Sequence, residues 1–241
     1  MAIALVALVG FLAAGVAAVV GFGIGSLLTP TFALFVGVKL AVAAVAIPHI
    51  VGTAQRCWML RKHIDRRIVL GFGLTSAIGG LAGALIHVWV SSRILAAVFG
   101  VLVAAAGVFE LTGWMRRLHW GHRSGWIAGA VSGAFGGMVG NQGGIRAAAL
   151  LGFDVPKEAF VATATAIALF VDAARLPVYL ATEWRDMLRI WPLIVTATVA
   201  VVIGTAFGTR ILERVPRPIF RRVIATFLIV LGLYMAIASR G

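Results

Sequence analysis

The sequence predicts an all-α integral membrane protein built from two inverted-topology repeats, with about eight to ten hydrophobic helices that include two short broken or re-entrant ones. Three observations predict it. The 241-residue chain is 61% hydrophobic and 12% charged, with a mean hydropathy of +1.05. A soluble domain carries about 25% charged residues. Apolar runs recur from end to end, and a glycine-rich interruption occurs in each half. Backbone groups in lipid must bond within their own segment, so such runs are helices. The alternation over about ten residues that marks a membrane β-barrel is absent.

In chain order the runs fall at about 3–20, 24–38, 40–60, 68–90, 93–113, 124–140, 143–153, 158–181, 187–211 and 218–239. The first lacks a basic leader and a persuasive cleavage site, and reads as a retained helix. The second and seventh are shorter than the roughly 20 residues that span a bilayer, and each follows a glycine-rich break. Trp58, Trp89, Trp114, Trp120, Trp126, Trp184 and Trp191 sit at or near run ends, the placement of an aromatic belt.

The net charge of +13 lies mostly in linkers between runs. With no nucleic-acid motif beside it, it speaks for membrane orientation and against nucleic-acid binding. The linkers holding Arg61, Lys62, Arg66 and Arg67, then Arg116, Arg117 and Arg123, then Arg210, Arg214, Arg217, Arg221 and Arg222 are strongly basic. The 182–189 linker balances Arg185 and Arg189 against Glu183 and Asp186. All three basic linkers are cytoplasmic only if each short segment returns the chain to the side its predecessor came from.

The halves resemble each other. Gly21–Ser26 matches Gly136–Asn141, Leu34–Val38 matches Ala149–Phe153, Arg56 falls opposite Arg175, and Gly79 and Gly83 match Gly204 and Gly208. The repeats are assigned to residues 1–115 and 124–241, entering from opposite sides of the membrane. That design binds substrate near the midplane between repeats.

Candidate binding groups cluster at the breaks. In VVGFGIGSLLTP, Gly23 and Gly25 strip the backbone bare, Ser26 supplies a hydroxyl and Pro30 suits a first helical turn. Exposed amides at a helix start favour an anion, although small residues also serve close helix packing. In GGMVGNQGGIR, Asn141, Gln142, Gly143 and Gly144 occupy the matching place. Arg146 follows inside an apolar stretch, where a guanidinium needs protein, water or a counter-anion; snorkelling to headgroups is its bland alternative. Asp172 and Arg175 share a helix face and can pair, or Asp172 can orient Arg175 toward substrate. Arg56 is read as the cytoplasmic end of its helix. His49, after Pro48, reads as an interior histidine or a group coupling transport to protons. Cys57 is the single cysteine, excluding a disulfide framework, and no histidine spacing makes a metal site. H-E-x-x-H, P-loop and G-x-S-x-G patterns are absent.

On GFGIGSLLTP, VSGAFGGMVGNQGG and the ends at Phe35–Gly37 and Leu150–Gly152, the sequence resembles the TauE/SafE (TSUP) family of sulfite and organosulfonate exporters. The resemblance covers nearly the whole chain and implies transport of sulfur-containing anions. GNQGGIR departs from the family's usual G-x-G-G-G followed by proline. The expectation is a multi-pass carrier of the bacterial inner membrane, with no cofactor or metal and no catalytic residue. Its partners would be a small anion and lipids, with proton or cation coupling and a homo-oligomer left open. A channel, or an intramembrane enzyme acting on lipid or peptide, is the alternative.

Overall fold

A computed structural model describes residues 1–112, 122–140 and 156–212, with single positions between 143 and 153 and between 226 and 237. The described residues are nearly all helical. The helices are α1 (Ala2–Val20), α2 (Ile24–Val36), α3 (Val38–Leu60), α4 (Arg66–Ile68), α5 (Leu74–Trp89), α6 (Ser92–Thr112), α7 (His122–Val139), α8 (Lys157–Arg189) and α9 (Trp191–Leu212). A π-helical turn, Val69–Gly73, joins α4 to α5. Among the described residues, four stretches are long and apolar enough to cross a membrane: Ala2–Val19, Val38–His63, Arg66–Trp89 and Glu158–Arg189. Large apolar side chains such as Leu8, Leu81, Leu85, Val199 and Ile203 are exposed, as on a protein solvated by lipid. Of the tryptophans, Trp58, Trp89, Trp126, Trp184 and Trp191 are exposed, and Trp114 and Trp120 lie outside the described residues.

The chain departs from its expected segmentation at 182–189. That stretch is no linker: α8 runs unbroken for 33 residues through Glu183, Arg185, Asp186 and Arg189. At about 1.5 Å per residue it is longer than the roughly 30 Å of hydrocarbon. Its charged last turns are satisfied locally, with Arg189 Nη1 donating to Asp186 Oδ1 at 2.9 Å. The basic linkers around Arg116 and Arg214, and most of the runs at 143–153 and 218–239, lie outside the described residues.

Packing interleaves the two halves of the chain. α1 lies along α9, α5 along α7, and α3 against α8, while α5 also touches α8 and α9 touches α3. Exchanging α1 with α7, α5 with α9 and α3 with α8 leaves that pattern unchanged. Small residues bring the outer pairs together. A Cβ on Gly79 or Gly83 would run into backbone of α7, and one on Gly204 into the Phe11 carbonyl of α1. Lipid supplies little hydrophobic drive between helices, so such close approach supplies the packing energy instead.

Candidate functional site

Both glycine breaks are formed by backbone that only glycine adopts readily. Gly21 (φ 90°) closes α1, Gly23 (φ 144°) opens α2, and Gly140 (φ 74°) follows α7. The two breaks meet. A Cβ added to Gly25 would stand 2.5 Å from the Gly140 carbonyl oxygen, and one on Gly143 would stand 2.5 Å from Phe22 Cβ. Bulkier residues at these points would force the breaks apart.

Where they meet, a small pocket is lined by Gly21 to Ser26, His49, Arg56, Gly140, Gly143, Arg146 and Ala168. The first turn of α2 faces it, and the first amides of any helix lack an intrahelical partner. Arg56 and Arg146 are both 3% exposed. Their heads are tied to consecutive residues of α8. Arg56 Nε donates to Thr165 Oγ1 at 3.0 Å, and Arg146 Nη1 donates to the Ala164 carbonyl at 3.0 Å. Arg56 Nη1 is buried and has no hydrogen-bond partner among the described residues. A buried guanidinium N–H left unmade is costly, so its position beside an open cavity points to a ligand.

Behind the cavity stands a hydrogen-bonded chain. His49 Nδ1 lies 2.6 Å from Asp172 Oδ2. Asp172 Oδ1 accepts from Arg175 Nε at 3.0 Å and Nη2 at 2.8 Å. Arg175 Nη1 donates to the Gly136 carbonyl at 2.7 Å. Tyr179 Oη donates to the next carbonyl, Gly137, and His87 Nδ1 bonds the one after, Met138, at 2.8 Å. Three successive carbonyls at the end of α7 thereby accept from side chains of α5 and α8, and the first of them, Gly136, also accepts from the Gly140 N–H at 3.0 Å.

Set against the sequence expectations, Gly23, Gly25, Ser26, Gly143, Arg146 and His49 all line the cavity. Asp172 and Arg175 do not; they form the supporting chain, with Arg175 spending its donors on Asp172 and Gly136. Asn141, Gln142 and Gly144 lie outside the described residues. Arg56 is the residue sequence reasoning misplaced: it is buried in the cavity wall rather than set at a headgroup-facing helix end. The signal that could have found it was its alignment with Arg175 in the repeat. The cavity is also off-centre. Arg56 stands four residues, about 6 Å, before the end of α3, whereas His49 sits at mid-helix.

Helices long and apolar enough to span a membrane, packed around a buried, arginine-walled cavity, define an integral membrane protein with a positively charged interior. A family model described as sulfite exporter TauE/SafE matches residues 6–235, and the chain belongs to that family. It is therefore a membrane transporter of small sulfur anions. Neither the curated proteins nor the solved structures hold a match to this chain.

Proposed function

We propose that the chain is a secondary exporter of sulfite or organosulfonates in a bacterial inner membrane, and that its substrate binds where the two glycine breaks meet. One observation carries this reading: buried Arg56 and Arg146 face a cavity floored by the first turn of α2, and Arg56 Nη1 lacks a partner among the described residues. Bare amides, a helix start and guanidiniums replace an anion's hydration shell without moving. The residues 1–115 and 124–241 are read as inverted repeats. The exchange pattern of helix packing supports that reading.

The interleaving bears on how access alternates. The most extensive packing joins helices of opposite halves, α1 with α9 and α5 with α7. The mobile bodies in this account are these crossed pairs, rocking about the central α3–α8 contact rather than as one half against the other. Arg56 lies toward the Arg61–Arg67 linker end of α3, and under the positive-inside rule that end of the cavity is read as the cytoplasmic one. His49 is read as the coupling group, because protonating it would add a positive charge to the cavity wall.

Flux of radiolabelled sulfite in proteoliposomes tests the reading. Saturable, counterflow-competent transport is expected. Flux no greater than in protein-free vesicles, for sulfite and for a panel of organosulfonates, would overturn it.

A further inference from the structure

Among the described residues, the walls of the cavity hold more positive charge than the carboxylates beside them neutralise. Four ionised groups gather there or directly behind it: Arg56, Arg146, Arg175 and Asp172. Asp172 is the only buried carboxylate among the described residues, and it is bound by Arg175 and His49. Three guanidiniums against one carboxylate leave a surplus of two positive charges with His49 neutral. Both surplus charges belong to Arg56 and Arg146, whose partners among the described residues are a neutral hydroxyl and a neutral carbonyl. A buried charge without a counter-charge is unfavourable in any protein and more so at bilayer depth.

The geometry sets these charges side by side. Arg56 comes from α3 and Arg146 from the segment after the second break, yet their heads are anchored at neighbouring residues of α8, Thr165 and Ala164. They therefore stand at one level of the cavity. The first turn of α2 approaches the same space, bringing the positive end of a helix dipole. An anion there meets two guanidiniums and a set of amides together.

We infer that the site selects doubly charged oxyanions, and that Arg56 is the residue that sets this charge preference. The inference rests on reading the cavity as the transport site. A dianion neutralises both surplus charges, whereas a monoanion of the same size leaves one guanidinium buried without compensation. Within the sulfur anions, sulfite in its dianionic form, thiosulfate and sulfate then belong to the preferred class. Singly charged sulfonates belong to the disfavoured one. Arg146 holds the anion in either class. Arg56, reaching in from the other half of the chain with one N–H unspent, is the group whose contribution depends on the second charge.

The test is equilibrium binding to the detergent-purified full chain at about pH 8, with sulfite, sulfate and thiosulfate as dianions and methanesulfonate as a monoanion shaped like sulfate. At least one dianion is expected to bind about tenfold or more tighter than methanesulfonate. In R56Q that dianion's affinity should fall by about tenfold while methanesulfonate changes by less than about threefold, and R56K should keep the preference. Should R56Q fail to fold, T165V serves instead: it releases the guanidinium from its anchor without removing its charge, and must reduce the preference. Equal wild-type affinities, or equal weakening of both classes in R56Q, would overturn the charge selection and leave the transport site standing. Wild-type protein that binds none of the four anions would remove the transport site as well.

Discussion

His49 Nδ1 and Asp172 Oδ2 stand 2.6 Å apart and tie the middle of α3 to the middle of α8. This contact joins the two halves of the chain at their central helices. Through Asp172 it reaches Arg175, and through Arg175 the Gly136 carbonyl that precedes the second break. His49, which lines the cavity, is thus hydrogen-bonded into the chain that holds the frame of the second break.

Removing the carboxylate should cost stability before it costs affinity. In Asp172→Asn the Arg175 guanidinium stays buried without its counter-charge, and breaking such a pair from one side costs about 3–5 kcal/mol. Thermal unfolding in detergent should show a large loss of stability. Wild-type melting behaviour in Asp172→Asn would remove Asp172 from the frame.

Tyr179→Phe addresses the frame more gently. It deletes only the hydroxyl that donates to the Gly137 carbonyl, removing a buried hydrogen bond. The expected loss is about 1–3 kcal/mol, read by the same unfolding measurement. Sulfite affinity should stay within about threefold of wild type in the protein that folds.

His49 predicts a pH dependence whose sign follows from charge. Its ring faces the cavity, with Asp172, Arg175 and Arg56 as charged neighbours. When protonated it adds a positive charge that favours a bound anion, so anion affinity should strengthen as pH falls through the acidic range and weaken as pH rises. A dianion such as sulfate or thiosulfate, which keeps its charge over this range, is the suitable probe. In His49→Gln that dependence should flatten. An unchanged profile in the variant would assign the titration to another group.

Gly25→Ala probes the meeting of the two breaks. The new Cβ would lie 2.5 Å from the Gly140 carbonyl oxygen, so one break must move. Overpacking of this kind costs about 1–3 kcal/mol, and sulfite affinity should fall by about tenfold in protein that still inserts. Full affinity would mean that the contact between the breaks does not shape the site.

Much of this was legible in the sequence, and the parts that were not have physical reasons. Hydropathy alone marks the class, because lipid leaves the backbone no alternative to helix. Arg146 was legible because a lone charge in an apolar run needs an explanation. Arg56 was not. It lies only four residues before the end of α3, and what separates a snorkelling arginine from a buried one is its partner Thr165, more than a hundred residues away. The Asp172–Arg175 pair follows from spacing, but nothing local announces that Arg175 also caps Gly136. Charged residues at 182–189 read as a linker because composition cannot tell a loop from a helix that outruns the bilayer.

The central claim is that a guanidinium in the cavity holds the anion, and Arg146→Ala tests it most directly. The measurement is radiolabelled sulfite flux in proteoliposomes that contain equal amounts of folded wild-type and variant protein. The account predicts that flux drops by on the order of a hundredfold, the loss of a charge-assisted contact of about 3 kcal/mol. Wild-type flux in Arg146→Ala would contradict it.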